Sequence, residues 1–363
     1  MERGGKKRLG VYCSTVEMKH RTTIVCITFA AALMGGCSSS PTPAPNNNAE
    51  SSSPGVGSIE RDDPALDNIL PRDAKIEKVG TGFKFTEGPL WRPENNVLWF
   101  SDVVGNVLRS ITPDGKVQVL IQNAGGVSTA PPGGFIGSNG EVADKDGYVL
   151  LCQHTNRQIV RVSKDLQMTP YLTKFEGKRF NSPNDLVYRS DGTLYFTDPP
   201  YGLAKQDDDP AKELKFNGVF MYKNGKLTAI IKDLTRPNGI AFSPDEKTLY
   251  IANSDEKRKV WMKYDVAADG TVSNGRVFAD VTSEKAPGNP DGMKVDSQGN
   301  VYGSGPGGTW IFSPDGKHLG TIKPGETPAN CGWAEDGKTL YITAETSVYR
   351  VKLSVAGEKP LYR

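Results

Sequence analysis

Imidazole and thiol groups are scarce in this chain: 363 residues carry three histidines and five cysteines. His20, Cys13, Cys26 and Cys37 all fall in the first 37 residues, so the rest holds only His154, His318, Cys152 and Cys331. That set is too small for a closed Cys/His zinc cage. It leaves either one disulfide, Cys152 with Cys331, or two buried free thiols. Charge of one sign is missing as well. The formal charge is +2, and loss of residues 1–36, with six basic and two acidic side chains, takes it to −2. A body of that charge offers no basic footprint for nucleic acid. The apolar run at residues 22–34 falls short of the ~20 residues that span a bilayer. No Gly-x-Ser-x-Gly elbow is present, which disfavours a serine hydrolase. The stretch Gly303-Ser304-Gly305-Pro306-Gly307-Gly308 lacks the strand-to-helix setting of a phosphate loop. Long helical periodicity is absent too.

What is present begins with an address. From Met18 the chain reads a charged head (Met-Lys-His-Arg), the apolar run, Gly35-Gly36-Cys37, and then a tract rich in Ser, Pro and Asn. That order describes a signal peptide over residues 1–36, with Met18 as an alternative start. Leu33-Met34-Gly35-Gly36-Cys37 resembles a bacterial lipoprotein lipobox, in which Cys37 becomes the lipidated first residue. The expectation is an exported, periplasmic or cell-envelope protein that meets the membrane only through an N-terminal lipid anchor. A plain secretory signal is the alternative. Because one acyl chain anchors weakly, stable attachment needs several. Residues 37–72 read as a flexible tether, too poor in large apolar side chains to offset ordering entropy. Residues 73–363 form the body; its oligomeric state is left open.

The body is a repeat. Six times a residue with a side-chain carbonyl heads a short apolar run: Glu87-Gly88, Asn139-Gly140, Asn184-Asp185, Asn238-Gly239, Asp291-Gly292 and Asn330-Cys331, at separations of 52, 45, 54, 53 and 39 residues. Each run leads through a turn such as Asp146-Gly147, Asp191-Gly192 or Asp336-Gly337 into a second run, such as Val97–Asp102 or Thr248–Asn253. Alternating β-branched and aromatic residues between Asp-Gly turns mark short strands and hairpins. About 47 residues per copy suits a four-stranded propeller blade, which cannot bury its faces alone. The prediction is an all-β, six-bladed β-propeller. The last copy shows three strands, and the stretch Ala74–Gly80 is expected to complete it, closing the ring with an N-terminal strand. A β-sandwich is the alternative, but it does not require a sixfold repeat.

The innermost strand of a blade lines the central channel, so the six head residues are predicted to form a ring of oxygens at one mouth. Glu87 and Asp291 bring carboxylates, and Asn184 and Asn238 bring amides. Hard oxygen donors suit one divalent cation, Ca²⁺ first, with Mg²⁺, Mn²⁺ or an adventitious Zn²⁺ as alternatives. Asn139 and Asn330 extend the ring. The second strand returns to the same level with Asp102, His154, Asp198 and Ser254. His154 is a candidate proton carrier or substrate hydrogen-bond donor. Asp198 is a candidate for substrate binding or for orienting a loop, with Tyr201 over the rim.

Glu87-Gly88-Pro89, Asn181–Asp185, Phe196–Gly202, Arg236–Gly239 and Pro290–Met293 together resemble the gluconolactonase, regucalcin (senescence marker protein) and luciferin-regenerating enzyme family. Cys152–Arg157 and Phe175–Arg179 resemble its bacterial gluconolactonase branch, although Gln153 stands where that branch often has an acidic residue. The resemblance covers residues 73–353. It implies a six-bladed propeller with one divalent metal held by Glu87, Asn184, Asn238 and Asp291, and a role for Asn184 in substrate contact. It further implies a metal-dependent hydrolase that opens a small-molecule lactone, with Asp291 as general base and His154 as a helper. Asn139, Asn184, His154, Asp198 and Tyr201 are the expected substrate contacts. Two alternatives stand beside this reading: a phosphotriesterase-like hydrolase with Asp291 as nucleophile, and a non-catalytic ligand-binding propeller.

Overall fold

A computed structural model describes residues 55–129 and 135–358. The expected signal peptide, Cys37 and the part of the expected tether before residue 55 lie outside the described residues. Among those described, the only helical segments are two 3-10 turns, Pro64–Asn68 and Gln206–Asp208. The remaining regular structure is antiparallel sheet: six blades and a short two-stranded ribbon, Lys174–Phe175 with Lys178–Arg179. Their inner strands are Thr86–Arg92, Ser138–Ala143, Leu186–Tyr188, Pro237–Phe242, Met293–Val295 and Pro328–Ala334 for blades 1 to 6. Blade 6 is built from both ends of the described chain: Ile76–Thr81 pairs with Ser347–Lys352 in the order that makes it the fourth strand.

Apolar side chains pack between blades rather than within one. Each of six buried clusters joins two neighbours, such as Trp99 and Leu108 of blade 1 with Leu151 and Val160 of blade 2, or Phe100 and Ile111 with Tyr341 and Val348 across the closure. This is the physical reason for the repeat, since a lone blade would expose both faces. Cys152 and Cys331 are buried free thiols in two different clusters.

The reading of residues 37–72 as tether needs correction after residue 57. Ser58–Arg61 adds a fifth strand to the outer edge of blade 5 by pairing with His318–Lys323. The 3-10 turn that follows is capped by Asp63 Oδ1, which accepts from Ala65 N–H at 2.8 Å. Leu66, Ile69 and Leu70 then bury against blades 5 and 6. Full burial of a leucine stabilises by ~1.5–3 kcal/mol, enough to order an arm whose average composition looks disordered. Three apolar residues at close spacing outweighed the polar background.

The inner strands converge because most head residues are followed by glycine. A Cβ at Gly88 would lie 2.2 Å from Asn139 O of blade 2, and one at Gly239 would lie 2.2 Å from Asp291 O of blade 5. Where blade 3 has Asp185 instead, Thr197 Oγ1 reaches the next blade, donating to Asn238 O at 2.8 Å.

Ring closure is clamped by Glu326. Its Oε1 accepts from Lys78 Nζ of the N-terminal strand at 2.9 Å and from Ser347 and Tyr349 of blade 6 at 2.6 and 2.7 Å, while Oε2 accepts from Thr346. Burial resists ionisation, but these donors outweigh it and hold the carboxyl at about 2, below its ordinary 4.5. A depressed folded-state value contributes stability above the ordinary value, lost as pH falls through the folded one. Glu326→Gln is expected to cost about 1–3 kcal/mol at pH 7. In urea unfolding followed against pH, its difference from wild type should shrink between pH 4.5 and pH 2; a difference that stays constant would exclude the clamp.

Candidate active site

Five blades deliver their head residues to one cavity of ≈ 320 Å³, lined among others by Glu87, Asn139, His154, Asn184, Tyr201, Asn238, Ser254 and Asp291. The path to each is local. Asn184 N–H donates to Thr197 O and Asp291 N–H to Ser304 O, both at 2.9 Å, so each head residue is pinned to the second strand of its own blade. Gly140 N–H then donates to Asn184 O at 2.8 Å and Gly292 N–H to Ala329 O at 2.8 Å, which link neighbouring blades at the same level.

The carboxylates repel. Burial and the nearby Asp185 carboxylate push Glu87 up to about 7. Burial, Glu87 and Asp185 together push Asp291 well above the ordinary carboxylate range. Glu87 Oε2 accepts from Gly88 N–H at 2.9 Å and from Asn330 Nδ2 at 3.1 Å. Asp291 Oδ1 and Asn184 Oδ1 are buried without a hydrogen-bond partner. Asn238 Nδ2 donates to Ser254 Oγ at 3.1 Å, Ser254 donates onward to Pro290 O, and the Asn238 amide also lies against Asp291. Among the described residues no three of His, Cys, Asp and Glu group as a metal site, so a cation here would depend on amide oxygens. Two carboxylates forced together by burial, beside orphaned amide oxygens, are a donor set that a hard divalent cation satisfies.

Tyr201 covers the rim. Burial raises its phenol above the ordinary value, and the Asp291 carboxylate adds to this; Ser254 and Asn238 are its hydrogen-bonding neighbours. Tyr201 O accepts from Phe135 N–H at 3.2 Å, which sets Phe135 on the wall with Phe85 and Val103. His154 is 1% exposed with neither ring nitrogen hydrogen-bonded, and burial pulls it down to about 3. It is therefore a neutral imidazole at physiological pH. That counts against the proton-carrier expectation and leaves a hydrogen-bonding role.

Three expected positions turn away from the cavity. Asp198 does not line the cavity: its two oxygens accept from Asn181 and Ser182 N–H, each at 2.8 Å, which fits the loop-orienting one of the two roles expected of it. Asp102 plays the same part in blade 1, accepting from Lys84, Phe85 and Gly105 N–H and pairing with Arg109. Asn330 spends its amide on Glu87 and on Cys331 N–H. Asp185 is the group that sequence reasoning passed over. It is 2% exposed, Oδ1 accepts from Leu186 N–H at 2.8 Å, and Oδ2 has no hydrogen-bond partner. The available signal was a carboxylate standing where four other copies carry glycine.

A cavity with two buried carboxylates at the hub of a six-bladed β-propeller defines a propeller built around a small-molecule site. The chain belongs to the SMP-30/gluconolactonase/LRE-like family, which matches residues 85–346. It is 38% identical over 345 residues to the gluconolactonase of Zymomonas mobilis, covering 92% of this chain and 95% of that protein. Its structure resembles that of a gluconolactonase from Xanthomonas campestris, with a TM-score of 0.72 and 30% identity over 83% of this chain and 97% of that one. The fold is shared more distantly by regucalcin, a calcium-binding protein from Agrobacterium tumefaciens, with a TM-score of 0.59 and 19% identity over 78% and 98% of the two chains.

The ring ¹⁵N shifts of His154 are expected to stay those of a neutral imidazole from pH 8 down to pH 5, because its value lies near 3. An imidazolium signal within that range would contradict the burial account.

Proposed function

We propose that the chain is a lactonase that opens a sugar lactone in this cavity, with one divalent cation held by Glu87, Asn184, Asn238 and Asp291. The observation that carries the reading is the pair of buried, mutually repelling carboxylates among unpartnered amide oxygens, in a chain with a gluconolactonase relative at 38% identity. The all-oxygen donor set favours Ca²⁺ over softer ions. Bound there, the cation supplies Lewis acidity toward a carbonyl oxygen.

The protein's own groups do the rest. Asp291 Oδ1, left without a protein partner, takes a proton from the water whose oxygen adds to the lactone carbonyl carbon. The tetrahedral intermediate collapses by breaking the ring C–O bond, and the leaving oxygen recovers the proton from Asp291, giving a hydroxy acid. Asn238 holds the Asp291 carboxylate in place and is itself held by Ser254. Tyr201, Phe85 and Phe135 line the cavity beside these groups.

Asp291→Asn should keep the fold and lower the turnover of glucono-1,5-lactone by about 10²–10⁴-fold, read as proton release above the spontaneous rate. Turnover at the wild-type level would refute the assignment. Chelation of divalent metal should abolish proton release and lower the melting temperature, with restoration by Ca²⁺, since an ion bound only by the native state stabilises it by mass action. Full activity and an unmoved melting temperature in chelator would remove the cation from the proposal. Turnover of a phosphotriester but of no lactone would replace the reaction class, and turnover of neither would favour a binding propeller.

A further inference from the structure

His154, Asn184 and Tyr201 reach the cavity on three separate segments, and one buried cation outside the cavity joins all three. Arg157 closes the turn after His154, its backbone N–H donating to His154 O at 3.1 Å. Its side chain is 5% exposed. Nε donates to Phe180 O at 2.6 Å and Nη1 to Ala211 O at 2.8 Å, while Nη2 is buried without a partner. Phe180 precedes Asn181-Ser182-Pro183, which leads to Asn184, and Ala211 lies in the connection 199–217 that carries Tyr201. The three segments also touch directly. Ser182 Oγ donates to Pro199 O at 2.5 Å and accepts from Gly202 N–H at 2.9 Å. A Cβ at Gly202 would lie 2.4 Å from His154 O, so the residue after Tyr201 rests on the His154 backbone.

An arginine is costly in this place. Its backbone is left-handed, with φ 57°, a conformation that suits glycine. Burial and the nearby Arg179 disfavour its charge, and Glu213, Asp198 and Asp209 act against them. Glycine would ease the turn, and a neutral side chain would ease the burial. Neither supplies several donors in a rigid fork, as a guanidinium does. Hydrogen bonds from a charged donor are roughly twice as strong as neutral ones, and both acceptors here belong to segments that bear cavity residues. Blades 1 and 5 hold their parts of the site without this residue: Glu87 Oε2 accepts from Gly88 N–H, and Asp291 N–H donates to Ser304 O.

We propose that Arg157 is a positioning residue: through Phe180 O and Ala211 O it holds Asn184 and Tyr201 in register with His154, and so supports binding of the cation and of the lactone rather than the chemical step. The proposal rests on the lactonase reading and adds to it a residue that does not line the cavity.

The test uses Arg157→Gly, which removes the fork and leaves the turn unstrained, and Arg157→Lys, which keeps the charge as a single point donor. Ca²⁺ affinity is read by calorimetric titration of the protein after chelation, and KM and kcat for glucono-1,5-lactone are read at saturating Ca²⁺. Arg157→Gly should weaken Ca²⁺ binding and raise KM by about 10-fold each, with kcat within about 3-fold of wild type. Millimolar guanidinium should restore part of both in Arg157→Gly and change neither in wild type, and Arg157→Lys should fall between the two. If Arg157→Gly does not fold, Arg157→Lys carries the same comparison. Unchanged Ca²⁺ affinity and KM, or a loss confined to kcat or to melting temperature that guanidinium does not restore, would overturn the positioning role while leaving the lactonase reading intact. If the wild type binds Ca²⁺ but opens no lactone, the lactonase reading fails and the titration alone decides the role of Arg157. If it does neither, both fall.

Discussion

The architecture depends on how closely six strands can approach one axis. Backbone carbonyls of one blade occupy the space where a side chain of the preceding blade would begin, as between Gly88 and Asn139 O or Gly239 and Asp291 O. Glycine at these points removes the steric barrier, and the residue just before it is carried to the channel mouth. The packing requirement of the hub and the convergence of the site are therefore one constraint. Lengthening the approach to admit a Cβ would separate the head residues as well as the blades.

Convergence has an electrostatic cost that the body carries in its native state. Burial and the Asp185 charge drive Glu87 up, and burial, Glu87 and Asp185 drive Asp291 up. The energy stored in this repulsion is released when positive charge arrives. Other acids of the chain are hydrogen-bonded through both oxygens. Asp102, Asp198 and Glu326 accept from several backbone or side-chain donors and are used to shape turns and close the ring.

Much of this was legible in the chain itself. The sixfold spacing and the Asp-Gly turns pointed to the propeller, and the head residues Glu87, Asn184, Asn238 and Asp291 do meet at one cavity. What stayed hidden was direction. Asp102 sits at the predicted level yet turns into a loop, because neighbouring N–H groups lie within reach only after the strand end folds back, and of the two roles open to Asp198 its contacts fit the loop-orienting one. Asn330 occupies the sixth head position but is drawn to Glu87. The arm at residues 58–70 is polar on average, and its few apolar residues find a partner surface only once blades 5 and 6 exist.

The sequence by itself determined the class of fold, the number of copies and which residue types reach the hub, since periodicity and turn chemistry act over a few residues at a time. Tertiary structure alone decided which of those oxygens are spent on the protein and which are left for a ligand. It also decided that His154 is neutral and that the charge of Asp185 acts on Glu87 and Asp291. Hydrogen-bond satisfaction and burial are set by neighbours from distant parts of the chain, and no local pattern records them.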